Sequence, residues 1–326
     1  MKKYLFSFLV FLFILFFILA PTETLDASKN GITLWFEQIL PTLLPFTILS
    51  SWVINSNFFD LFHGANTKKS HRILPEEWFI LLSGFLFGFP IGSKLSSDFY
   101  LAGKLSKKHA QTLCMFTNHM SPAFVLGYVC TQQLQDIHYA LPVCLILYGP
   151  SLILALILLL RDSINLQKSN KAISQIPNFD NPNCGKQNFD EHKNTASSFQ
   201  IDMKIIDAGI ISGFVTLIKL CGYMVFFSIG VSMIQHFSIL PQNLKVLAIS
   251  GLEVTNAISF ICSNVTEKSK ILYLILISLT FGGLSGFAQT ASMISPAGLS
   301  IKKYFFAKIL LTFFSIILTT VYLSVI

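Results

Sequence analysis

This sequence predicts an all-α polytopic membrane protein, built as an inverted repeat of two transporter-like halves. Three observations predict it. Of the 326 residues, 53% are hydrophobic and only 12% charged, with a mean hydropathy of +0.64, too little charge to clothe a soluble domain of this size. Several apolar runs are long enough to cross a bilayer. After the first run, one order of elements occurs twice. The expected architecture has about seven spanning helices and two short re-entrant segments. Its parts are an anchor and short loop at 1–30, a first repeat at 31–160, a polar linker at 161–206 and a second repeat at 207–326.

Lys2 and Lys3 precede an apolar run to Ala20. No A-x-A-like site ends it, and Pro21 would stand first after cleavage, so an uncleaved span with a cytoplasmic N-terminus is expected over a signal peptide. Thr22–Asn30 reads as a short outside loop, with Asp26 or Ser28 placed to cap the next helix. That helix, Gly31 to Asn55, carries Glu37 and should kink at Pro41 and Pro45. The loop Ser56–Glu77 holds Lys68, Lys69 and Arg72 and is placed inside by the positive-inside bias.

Trp78–Lys94, WFILLSGFLFGFPIGSK, is apolar but short, and is broken by Gly88, Pro90 and Gly92. Lys94, Lys104, Lys107 and Lys108 make the following segment basic as well, so the short stretch enters and leaves on one face. It is re-entrant, or else a kinked packing helix. Ala110–Cys130 is interrupted by Asn118, His119, Ser121 and Pro122, and Tyr139–Leu160 is an unbroken span. From Arg161 to about Lys204 the chain turns to Asn, Lys, Ser, Gln and Asp, a composition that buries no core. Beyond it lie Asp207–Gln235, the short Asn243–Ser263, Ile271–Met293 and Tyr304–Ile326.

The repeat rests on this order and on one spacing. Asn118 follows Pro90 by 28 residues, as Gly283 follows Thr255. With both short segments re-entrant each half has an odd number of crossings, so the second half is inverted and the broken segments meet near the midplane. Lys268 and Lys270 then fall outside, against the charge bias; a spanning Asn243–Ser263 would put them inside and destroy the symmetry.

The charge of +7 sits mainly in inter-helix loops and is no nucleic-acid signal. The six cysteines include no CxxC, the histidines no HExxH, and the glycines no GxxxxGK[ST]. No cofactor or metal is expected, and neither GxSxG nor paired aspartates suggest an enzyme. Candidate solute contacts are Glu253, Thr255, Asn256, Asn118, Ser121 and Gln289. A carboxylate such as Glu253 in an apolar segment is expensive and faces a cavity or a partner. It would share a helix face with Asn256 and hold a proton, a cation or a solute hydroxyl, or else pair with Lys94 or Lys219 and fix packing. Gly88, Pro90, Gly92, Pro122, Gly282 and Gly283 are candidate hinges, although Gly282 and Gly286 also fit small-residue helix packing.

The succession GITLWFEQILPTLLPF, GFLFGFPIGSK, TNHMSPAFVLGYV, SGLEVTNAI and FGGLSGFAQTASM resembles the sporulation integral membrane protein YlbJ family. That family is grouped with nucleoside-recognition, or Gate domain, proteins, which include the spore maturation proteins and parts of nucleoside and ferrous-iron transporters. The resemblance covers roughly Gly31 to Ile326 without the linker. It implies a mother-cell membrane protein of endospore formation with a transporter-like fold. The residues themselves select no nucleoside, and the short, degenerate linker carries nothing over.

The expected function is a carrier or channel for a small polar solute. Its expected partners are that solute and membrane lipid, with a second copy of the chain or a sporulation membrane protein compatible. The alternative is a scaffold that recruits partners during spore envelope assembly.

Overall fold

The computed structural model describes residues 2–56, 58–61, 73–173, 203–237 and 240–325. Among them every regular element is helical. Four helical stretches are long and apolar enough to cross a membrane: Ile137–Asp162, Met203–His236, Lys268–Ile294 and Ile301–Val325. Ser7–Leu19 and Pro21–Glu37, bent by 109°, make a fifth if counted as one span. The loop residues Lys68, Lys69 and Arg72 and most of the linker, with Cys184, lie outside the described residues.

The N-terminal region departs from the expected loop. Helix α1 (Lys2–Leu19) passes almost directly into α2 (Pro21–Leu34), so residues 22–30 are helical. The cause is Pro21, whose fixed φ and missing N–H suit the first helical position. Ser28 therefore caps nothing; its hydroxyl donates to the Thr24 carbonyl over 2.8 Å. The expected kink before Asn55 is a π-helical turn, Trp35–Ile39, leading into α3 (Leu40–Asn55). Glu37 lies exposed on that turn.

α2 and α3 run antiparallel along α8 (Met203–His236). The Trp35 indole donates to the Leu217 carbonyl over 2.8 Å, and the glycines of α8 let the backbones close. A Cβ on Gly209 would lie 2.5 Å from the Trp52 ring nitrogen, and one on Gly213 3.0 Å from Thr47 Oγ1. This is small-residue packing of the membrane kind, at Gly209 and Gly213.

The rest of the first half is four short pieces and one long helix: α4 (Pro75–Phe87), α5 (Ile91–Leu101), α6 (Lys107–Phe116), a π-helical segment Phe124–Gln133, and α7 (Ala140–Ile173). After α8 the second half comprises α9 (Gln242–Leu252), α10 (Val254–Asn264), α11 (Lys268–Phe281), α12 (Gly283–Ile294) and α13 (Ile301–Val325). Each half thus places a break at both of its short-helix pairs.

One apolar core joins α3 to α8 through Leu43, Phe46, Ile80, Phe99 and Leu217. A second binds the halves together, with Val125 and Val143 from the first half packed with Val254, Ile258 and Ile275 from the second. Large apolar side chains also cover outer faces, such as Phe214, Val215 and Ile218 on α8 and Phe306, Ile309 and Phe313 on α13. Outer faces of this kind suit a lipid surround.

Candidate functional site

In the first half, α4 and α5 double back on each other around Gly88, Phe89 and Pro90, so that a Cβ on Gly84 would lie 3.1 Å from the Gly92 Cα. The hairpin grips the place where α6 unwinds. A Cβ on Gly84 would come within 2.6 Å of the Thr117 carbonyl oxygen, and one on Gly92 within 2.3 Å of Thr117 Oγ1. Gly88 has φ of +75° and leaves only 2.5 Å between a hypothetical Cβ and the Ser121 nitrogen. Only glycine meets both conditions. The tip of the first break therefore rests on the second, at residues 117–121.

The second half also has two breaks. Glu253 is extended, at φ −150° and ψ 128°, between α9 and α10. Its carboxylate caps α10, accepting from Thr255 N at 3.0 Å, Asn256 N at 2.8 Å and Asn256 Nδ2 at 2.9 Å. Acceptors there satisfy free N–H groups and complement the positive end of the helix. The facing break is Gly282, left-handed at φ 87°, and Gly283, where a Cβ would lie 3.1 Å from the Leu252 carbonyl oxygen. Again one break rests on the other.

The halves meet at Asn118, which is fully buried. Its amide nitrogen donates to Thr290 Oγ1 of α12 at 2.8 Å and to the Tyr304 hydroxyl of α13 at 3.1 Å. The Ser93 hydroxyl of α5, which donates to the Pro90 carbonyl at 2.7 Å, lies 3.5 Å from Asn118 Oδ1. Its backbone carbonyl accepts from the Lys308 ammonium at 2.7 Å. Lys308 is 1% exposed, lies over the Tyr304 ring at 5.7 Å from the centroid, and makes no ion pair among the described residues. An ammonium beside the carbonyl end of α6 is well placed, because that end carries partial negative charge. Nearby, Phe89 at the hairpin tip packs on Gly286 of α12, where a Cβ would lie 3.0 Å from the ring.

The structure thus divides the candidate residues. Asn118 is the junction of the halves. Glu253, Thr255 and Asn256 form one capping cluster, and the Tyr128 hydroxyl donates across to the Thr255 carbonyl at 3.2 Å. Gln289 is buried beside Thr290 and donates to Ser285 Oγ at 3.0 Å. Ser121 accepts from Phe124 N at 3.3 Å, and Pro122 starts the turn leading into the π-helical segment. Gly88, Gly282 and Gly283 occupy breaks, whereas Gly92 lies within α5 and serves close contact. Glu253 stands between two helices, and among the described residues it pairs with neither Lys94 nor Lys219.

Sequence reasoning missed Ser93, Thr290, Tyr304 and Lys308. A signal existed for the last, since a lysine inside an apolar span marks a functional position by default. Other charged groups are also more buried than loop-like readings suggest. Lys94 is 6% exposed and pairs with Asp98 at 2.5 Å. His109 Nδ1 is bonded to Glu77, which is fully buried and also accepts from Leu74 N at 2.8 Å. Lys108 pairs with Asp162 at 2.6 Å.

Fold and site together define an all-helical, multi-pass membrane protein whose two halves meet at unwound backbone. Over 312 residues the chain is 24% identical to the sporulation integral membrane protein YlbJ of Bacillus subtilis (strain 168), an alignment covering 89% of this chain and 75% of that protein. The resemblance to the YlbJ family carried by the motifs is borne out by this homologue. No family model matches the chain, and no solved structure matches it.

Proposed function

We propose that this chain is a carrier or channel for a small polar solute, acting in the membrane of a spore-forming cell and, as for the family it resembles, on the mother-cell side. In this reading the α4–α5 and α9–α10 hairpins are re-entrant, seven segments cross the membrane, and the halves are related by inverted topology. The single observation that carries it is the pairing of breaks: Gly88 on Ser121 in one half, Leu252 on Gly283 in the other. Unwound backbone at membrane depth is tolerated where it is buried in protein or lines a wet cavity. Paired breaks at the meeting of two halves are where transporters of this architecture hold their solutes.

The buried amides and hydroxyls at the junction suit an uncharged polar portion of the solute, with Asn256, Gln289, Thr255 and Ser121 as contacts. Asn118 and Thr290 would exchange their mutual bond for bonds to the solute as the halves move. The test is spore yield from a strain whose own copy is replaced by Asn256→Ala or Gln289→Ala, with membrane abundance measured alongside. Loss of yield at normal abundance is expected. Normal yield in both overturns the reading; yield that instead depends on the linker and a co-purifying protein favours the scaffold.

A further inference from the structure

Lys219 stands at the middle of the 34-residue helix α8, in an otherwise apolar stretch. The opposite face of α8 is occupied by α2 and α3, through Trp35 on Leu217 and Thr47 against Gly213. Lys219 turns away from that seam and is exposed. It opens onto a groove of about 470 Å³ lined by Gly222, Tyr223, Phe226 and Phe227 of α8 and by Ala288 of α12. Positions 219, 222, 223 and 226 share one helix face, so the ammonium sits at one end of an aromatic strip.

An ammonium at mid-span is expensive unless it meets water or a counter-charge. Among the described residues it makes no ion pair. The carboxylates of the elements packed against α8 are placed elsewhere: Glu253 on its own helix cap, Glu23 beside His236 at 3.5 Å, and Asp26 exposed on α2. Glu37 belongs to the turn on the far seam, and α12 carries no charged residue. The opposite wall, Ala288, belongs to α12, the helix that also carries Gln289 and the junction residue Thr290.

We propose that this groove binds the substrate by its anionic end: an organic anion with a flat apolar or aromatic body. Lys219 takes the carboxylate, sulfonate or phosphate group, and Tyr223, Phe226 and Phe227 cover the body. The volume matches a small-molecule site. The proposal rests on the carrier reading and narrows its substrate class from polar solutes to organic anions.

The test uses the full chain in phosphatidylcholine vesicles. Gly222→Cys places a thiol in the groove, where a Cβ meets nothing within 4 Å, in a chain whose Cys144, Cys184, Cys221 and Cys262 are replaced by serine. The introduced thiol is then modified with an anionic or a cationic methanethiosulfonate, each rate normalised to free cysteine. The anionic reagent should be faster by about tenfold, and the ratio should fall to near one with Lys219→Gln. The probe 2-naphthoate, but not the cation 2-naphthylmethylamine, should slow modification. In an independent measurement, 2-naphthoate should raise the melting temperature of the unmodified chain and leave Lys219→Gln unchanged.

Equal rates with Lys219 present, or 2-naphthoate without effect, overturn the anion site. Failure of both reagents to react does the same, since the groove is then dry. Protection arising only from phosphatidylglycerol, with 2-naphthoate inert, gives the groove to a lipid anion and also overturns the proposal. None of these outcomes touches the spore-yield test at Asn256 and Gln289, so a failed anion site and a failed carrier remain distinguishable.

Discussion

The Lys308 ammonium donates to the Asn118 carbonyl over 2.7 Å, tying the last helix of the chain to the point where α6 unwinds. The two residues are 190 apart in sequence, and both are buried. Replacing the amine with an apolar chain of similar length leaves the carbonyl without this donor. Lys308→Met should therefore destabilise the protein by about 1–3 kcal/mol. Thermal unfolding of the solubilised protein reads this as a lowered midpoint; an unchanged midpoint removes Lys308 from the junction.

Gly88→Ala should be far more damaging than its size suggests. The residue has φ of +75°, and the new methyl would lie 2.5 Å from Ser121 N. Backbone strain alone costs about 1–3 kcal/mol, and the contact adds to it. Gly127→Ala is the control, since a Cβ there meets nothing within 4 Å. In its helical setting that change should be neutral or stabilising by up to about 1 kcal/mol. Equal membrane abundance of the two variants would contradict the proposed contact between the breaks.

Glu253→Gln separates capping from charge. Its carboxylate oxygens hold Thr255 N and Asn256 N, and a glutamine keeps one acceptor while an alanine keeps none. Glu253→Ala should cost about 0.5–2 kcal/mol, with Glu253→Gln between it and the parent. Full function in Glu253→Gln assigns the residue to structure. Lost function at retained stability assigns the charge to the solute or to a coupled cation.

The Glu77–His109 pair predicts a pH dependence. The hydrogen bond that His109 donates to Glu77 holds the imidazole above its ordinary range against the opposing effect of burial, with Glu77 charge and Asp162 assisting and Lys108 opposing. A raised folded pKa means that the stabilisation is complete below the unfolded value, about 6.5, and is lost as pH rises through the folded one. Stability should thus fall on going from pH 6 into the alkaline range. His109→Gln should flatten that dependence; an unchanged pH profile would contradict the assignment.

The breaks were legible in the sequence because glycine, proline and polar residues in apolar runs carry local meaning. Gly88, Asn118, Glu253 and Gly282 all fall at or beside one. What those residues touch was not legible. The reading of Glu253 as a helix-face charge failed because one extended residue, with its own side chain as the cap, suffices to divide α9 from α10. Thr22–Asn30 has the polarity of a loop, and the helix-starting role of Pro21 overrides it. Lys219 entered only as a possible packing partner of Glu253 and Lys308 not at all, although position within an apolar span distinguishes both. The contacts of Asn118 with Thr290 and Tyr304 span 172 and 186 residues, a separation that local pattern does not encode.

The inverted pairing of the two hairpins is the central claim, and side-specific cysteine labelling in sealed cells and inverted vesicles tests it directly. Ala102 lies exposed at the base of the α4–α5 hairpin, and Thr266 lies exposed between α10 and α11. Inverted pairing predicts that the thiol of Ala102→Cys is labelled only from the cytoplasmic side and that of Thr266→Cys only from outside. Labelling of both from the same side would contradict it.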